Sequence, residues 1–129
     1  NLYNIEIIEN IDDSLILSGY PNYLSQVLLS IFQNSLYFLK ARHIKEPKIF
    51  VSIRNFEEMI AIEIEDNAQG VENKNLDAVF HYGFSQKVNH EKSTGIGLYI
   101  ARLIIMEKCE GDIQVQNTIN GAKFTITLP

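Results

Sequence analysis

Cysteine is almost absent from this chain: Cys109 is the single one in 129 residues. One thiol cannot close an internal disulfide, so a reducing compartment is expected, and Cys109 reads as a small apolar residue near a helix end. No apolar run approaches the roughly 20 residues of a membrane span, and the first residues lack a secretory-leader pattern. A cytoplasmic chain, or a cytoplasmic piece of something longer, is expected. Basic charge is also scarce. Eleven Lys and Arg stand against sixteen Asp and Glu, for a net charge of −5 and a pI near 5.1. Such a balance offers no surface for nucleic acid or an anionic membrane, so any phosphate must be held locally. Repeats and low-complexity segments are absent.

What is present suits one domain over residues 1–129, because 46% hydrophobic content is enough for a core. Residues 3–8 and 14–17 read as two short strands joined by a turn through Asn10, Asp12 and Asp13. Pro21 opens a helix that runs to about Arg42. Leu24, Val27, Leu28, Ile31, Ser35, Phe38 and Leu39 form its apolar stripe, with Ser35 as the small member. Ser30, Asn34 and Tyr37 line one edge of that stripe, Asn34 nearest the core. Asparagine costs a helix interior roughly half a kcal/mol relative to alanine, so propensity does not explain it. Either it is a surface amide at the boundary, or it binds something.

After a break at residues 45–48, alternating Ile49, Val51 and Ile53 read as a strand, followed by a turn at 55–58 and a second strand over 59–66. In the second strand Ile60, Ile62, Ile64 and Asp66 share one face. A carboxylate in that phase is aimed at the core, where it needs hydrogen-bond donors. Asp66 could cap the turn Asp66-Asn67-Ala68-Gln69-Gly70, or it could receive a ligand. A short helical piece is expected at 75–79, then a polar loop over 81–93, which at that length reads as a functional lid. The loop closes on Thr94-Gly95-Ile96-Gly97, which opens into a helix to about residue 110, with Gly111 as its stop. Glycines at a loop-to-helix junction are ordinary turn chemistry, but they also suit an anion approaching a helix N-terminus. Strands over 112–116 and 122–128, joined through Asn120-Gly121, finish the chain. The order implies α+β, a two-layer α/β sandwich whose mixed, mostly antiparallel sheet is covered by helices on one face.

Taken together, the helix asparagine, the DNAQGV turn, the lid ending in Gly-x-Gly and the closing Gly-x-x-Phe-x-x-x-Leu-Pro strand resemble the ATP-binding catalytic domain of sensor histidine kinases. That domain has the Bergerat fold, shared with gyrase, the heat-shock chaperone and the mismatch-repair ATPases. QVLLSIFQNSLYF resembles the family's N box. The resemblance implies that Asn34 binds Mg²⁺, that Asp66 accepts a hydrogen bond from the adenine amino group, and that Gly70 lets backbone approach the base. It also implies nucleotide contacts for Phe38 and Phe84, for Lys87 of FSQK at the phosphates, and for Thr94, Gly95, Ile96, Gly97 and Leu98 of the second glycine box. Asn34 and Lys87 would be the catalytic pair.

The partners implied are ATP, a histidine-containing dimerisation domain of the same kinase and, indirectly, a response regulator. None of His43, His81 and His90 sits on the long helix expected of a phosphoacceptor, so the chain is expected to be the C-terminal part of a larger kinase. Three positions depart from the pattern. Ser30 stands where the ATPases place a water-activating glutamate, so efficient hydrolysis is not expected. Tyr37 stands where kinases often have a basic residue, and Ala68 replaces a glycine. Ser30 and Tyr37 are the features that favour an alternative, a nucleotide-gated binding module such as a degenerate kinase or an anti-sigma-like regulator.

Overall fold

A computed structural model describes residues 4–11, 21–72, 76–82 and 97–129. Five strands, β1 (Glu6–Ile11), β2 (Lys48–Phe56), β3 (Met59–Asp66), β4 (Asp112–Asn117) and β5 (Ala122–Leu128), form one sheet in the order β1-β2-β3-β5-β4. Two helices, α1 (Pro21–Ala41) and α2 (Gly97–Glu107), and a 3-10 turn at Asp77–Phe80 complete the elements among the described residues. β1 pairs with β2 in parallel, and the other neighbours are antiparallel. A parallel pair needs a long crossover, and α1 lies in it. The sheet is therefore mixed and mostly antiparallel, as the order of elements implied.

β1 corrects the expected first strand. It extends to Ile11 and so includes Asn10, which the sequence placed in a turn. Pairing of Asn10 with Ser52 and of Ile11 with Ile53 decides the matter, since ladder hydrogen bonds outweigh the weak strand propensity of asparagine. The expected strand at 14–17 lies outside the described residues.

Period-2 alternation sets the two faces of the sheet. Ile60, Ile62 and Ile64 of β3 lie opposite Leu128, Ile126 and Phe124 of β5, and all six are buried. The other face pairs Glu63 with Thr125 and Glu65 with Lys123, and Glu63 meets both Arg54 at 3.3 Å and Lys123 at 3.7 Å. Val27, Ile31 and Leu39 of α1 and Ala101, Ile104 and Ile105 of α2 join the same core, where Phe80 meets Phe124 edge-on at 6.0 Å. The predicted stripe of α1 is the buried one. Burial pushes the Cys109 thiol up, which fits its apolar reading.

α1 stops about where the sequence suggested, at Ala41, but α2 ends at Glu107, short of the expected residue 110. α1 ends in a Schellman pattern in which His43 N–H donates to Lys40 O at 3.1 Å and Ile44 N–H to Leu39 O at 3.1 Å. His43, not glycine, takes the left-handed conformation (φ 51°) that this pattern requires. At the end of α2 that conformation falls on Glu110 (φ 55°), three residues beyond the last helical residue. Gly111 is needed for another reason, because a Cβ there would sit 2.3 Å from Thr127 O of β5.

His43 is exposed, so replacing it removes strain and little else. His43→Gly should raise the unfolding free energy by about 1 kcal/mol, read from the urea midpoint at unchanged slope. A lower midpoint would contradict the cap.

Candidate functional site

Among the described residues, the buried polar side chains are Ser35 and Asp66, 1% and 4% exposed, and they bond to each other. Ser35 Oγ donates to Asp66 Oδ2 at 2.8 Å. The other carboxylate oxygen, Oδ1, accepts from Ala68 N at 3.0 Å and from Ala122 N at 3.3 Å. These donors come from α1, from the turn after β3 and from β5. Hydrogen bonds to a charged group contribute about 1.5–3 kcal/mol each, so three together are of the size needed to offset the several-kcal/mol cost of burying a carboxylate. Asp66 thus caps its own turn. With room for about four hydrogen bonds, it can still take a further donor.

The turn after Asp66 is held in an unusual shape. Gln69 and Gly70 are both left-handed, at φ 75° and 78°. A Cβ on Gly70 would lie 2.7 Å from Asn117 Oδ1, so a side chain is excluded there by space as well as by dihedral. Asn117 accepts from Val71 N at 2.8 Å and donates to Val71 O at 2.6 Å, while Gln69 N donates to Asn120 O at 2.8 Å. Behind Asp66, Gly121 passes so close that a Cβ would meet Asp66 O at 1.8 Å. The last hairpin therefore grips both Asp66 and the turn that follows it.

α1 forms the opposite wall. Asn34 is half-buried and precedes the serine that holds Asp66. Phe38, one turn on, is half-buried, meets Tyr37 edge-on at 5.1 Å, and carries the Arg42 guanidinium 4.6 Å from its ring centroid. Arg42 reaches across to the turn, donating to Ala68 O and Gly70 O. Midway along α1, a Cβ on Gly97 would lie 3.9 Å from Ser30 Oγ, which sets the N-terminus of α2 beside the turn that precedes Asn34. Leu98 is half-buried and packs on the core. Asn34, Phe38, Asp66, Gly70, Gly97 and Leu98 are therefore arranged along or around one helix edge, while Phe84, Lys87, Thr94, Gly95 and Ile96 lie outside the described residues.

Sequence reading missed three residues here. The Ser35 hydroxyl was taken only as a small group, although its place in an apolar stripe opposite a core-phased carboxylate was a usable signal. Arg42 and Asn117 left none, because each acts through tertiary contacts with the backbone of a distant turn.

Residues 19–129 match the family described as histidine kinase-, DNA gyrase B-, and HSP90-like ATPases. The chain belongs to this family. It is 31% identical over 129 residues to a probable C4-dicarboxylate sensor kinase of Bacillus subtilis (strain 168), a match covering 95% of this chain and 24% of that protein. Over 75 residues it is 41% identical to the sensor histidine kinase GlnK of the same organism, covering 57% of this chain and 18% of that one. Among solved structures, the catalytic domain of histidine kinase ThkA superposes with a TM-score of 0.82 at 21% identity, over 97% of this chain and 80% of that one. The chain spans about a quarter of the curated relatives it matches end to end.

Ser35→Ala removes one of the three donors to the carboxylate and leaves a void of a single oxygen. A loss of about 1–2 kcal/mol in unfolding free energy by urea titration is expected. A variant as stable as the parent would show that the 2.8 Å contact carries no energy.

Proposed function

We propose that this chain is the ATP-binding catalytic domain of a two-component sensor histidine kinase. In that role it positions Mg-ATP for transfer of the γ-phosphoryl group to a histidine on a separate dimerisation domain. The observation that carries the reading is Asp66, a buried carboxylate on a core face, supplied with three donors and able to take a fourth. A carboxylate in that position suits the exocyclic amino group of adenine and repels the oxygen that guanine presents instead. Gly70 puts no side chain beside that carboxylate, since Asn117 and Gly121 fill the space a Cβ would take.

Along α1 the parts fall in the order an extended nucleotide needs. Ser30, beside the N-terminus of α2, marks the phosphate end, Asn34 the metal, Phe38 and Asp66 the base. From Ser30 to Arg42 is about 18 Å at 1.5 Å per residue, enough for a nucleoside triphosphate. Asn34 offers an amide oxygen on a half-buried edge between these ends, and its chemistry fits a hard cation that prefers oxygen. When bound, Mg²⁺ supplies neutralisation of the phosphate charge. Backbone N–H groups of Gly95, Ile96 and Gly97 with the Thr94 side chain, and the Lys87 ammonium, would hold the phosphates, while Phe84 and Leu98 border the nucleotide. Ser30, standing in place of a base, does not activate water, which suits a domain that positions phosphate for a partner's imidazole.

The response regulator, the cytoplasmic setting and the place of residues 1–129 as one domain of a longer kinase belong to the same proposal. No described helix is long and apolar enough to cross a membrane.

Mg-ATP should raise the thermal midpoint by several degrees at a hundredfold excess over its Kd, where binding contributes about 2.7 kcal/mol. Asp66→Asn should fold, since the amide oxygen still accepts from Ala68 and Ala122 while Ser35 turns to accept from its N–H. The same amide then confronts the adenine amino group with donors, so ATP should no longer shift the midpoint. An Asp66→Asn protein that responds to ATP like the parent would remove the adenine assignment. Labelled ATP and a separately supplied histidine-containing dimerisation domain test the transfer step, and an unlabelled partner would favour a nucleotide-gated binding module.

A further inference from the structure

Two backbone carbonyls in the turn after β3 point at a cation, and that cation directly follows α1. Arg42 follows the last helical residue, half-buried, with its guanidinium over Phe38 at 4.6 Å. A single nitrogen, Nη1, donates to Ala68 O at 2.5 Å and to Gly70 O at 2.7 Å. Between those carbonyls sit Gln69 and Gly70, both left-handed. A non-glycine residue at positive φ persists only where its surroundings fix it, and Gln69 has that status. The turn's N–H groups are tied to Asp66, Asn120 and Asn117. Arg42 ties its carbonyls.

We infer that Arg42 is a positioning residue for base recognition, one that sets both nucleotide affinity and the preference for adenine over guanine. The inference rests on the assignment of Asp66 to the base. Adenine brings an amino donor to Asp66, and further acceptors along that wall would compete for it. Guanine brings a row of donors, N1–H and the 2-amino group, which free carbonyls would welcome. By occupying Ala68 O and Gly70 O, Arg42 leaves the Asp66 carboxylate as the acceptor that the base meets. The planar guanidinium packed on Phe38 also fixes that ring from one side, so both the aromatic and the polar walls depend on one side chain.

The test measures ATP and GTP affinities for the 129-residue chain and its variants by calorimetry. Arg42→Met keeps an unbranched apolar side chain and removes both the donors and the guanidinium that packs on Phe38. ATP binding should weaken about tenfold, GTP binding should weaken less, and the ATP-to-GTP preference should narrow at least threefold. Arg42→Lys should return ATP affinity to within about threefold of the parent, because both bonds leave one nitrogen and an ammonium carries enough donors. Equal weakening toward ATP and GTP would mean that Arg42 only supports the fold, and unchanged ATP affinity would mean that the carbonyls need no partner. Either result overturns the inference.

Should Arg42→Met fail to fold, the unaltered protein still decides. Adenosine, which lacks phosphates, should shift the nitrogen resonance of the Arg42 guanidinium, and a signal that ignores adenosine contradicts the role. An unaltered chain that binds no nucleotide defeats the underlying assignment instead. If Asp66→Asn abolishes binding while Arg42→Met changes nothing, this inference alone fails.

Discussion

A carboxylate placed on the core face of a central strand has to be satisfied by hydrogen bonds, and most of this molecule's particular shape follows from how Asp66 is satisfied. Its three donors arrive from α1, from the turn after β3 and from β5, so one side chain ties the helical layer to two adjacent strands. Gly121 is confined to glycine because β5 must pass within contact distance of the Asp66 carbonyl to deliver Ala122 N–H. Apolar packing could have served stability at least as well, since replacing buried polar groups by hydrophobic ones is often neutral or favourable. A polar centre retained at that cost is what a binding site requires.

α1 gives this centre its length. The helix meets the N-terminus of α2 at Ser30 and bonds Asp66 through Ser35, and Arg42, the residue that follows it, clasps the turn after β3. Because a helix is rigid over three turns, the separation between these contacts is fixed. On the proposed reading, the base end and the phosphate end would be set at constant distance by one element, while the sheet behind it supplies depth. Across the segment from residue 83 to 96, Asp77 of the 3-10 turn pairs with Arg102 of α2 at 3.1 Å, and Tyr82 meets Tyr99 edge-on at 5.2 Å. These contacts hold the 3-10 turn and Tyr82 to α2.

Much of this was legible in the residues. The stripe of α1 and the phase of β3 are local periodicities, and burial followed them closely, down to Asp66 falling in line with three isoleucines. The hairpin partners were legible for the same reason. What escaped was decided by distant backbone. Parallel pairing carried β1 through Asn10, where propensity alone would stop it. His43 and Glu110 adopt left-handed dihedrals without being glycine, so no composition signal marks either helix end. Gly111 was noticed, but its reason lies in a strand sixteen residues further on. Arg42 and Asn117 bond to turn carbonyls and amides, and nothing in their own neighbourhoods announces it.

Membership of the histidine kinase-, gyrase- and chaperone-like ATPase family fits a site with these parts. The claim on which the functional reading turns is local: that the fourth hydrogen bond of Asp66 belongs to a purine. A crystal structure of the chain with a non-hydrolysable ATP analogue and Mg²⁺ measures this directly. The adenine amino nitrogen should lie about 2.7–3.2 Å from an Asp66 oxygen with the Ser35 contact intact. A nucleotide bound with its base elsewhere, and Asp66 facing protein donors alone, would contradict it.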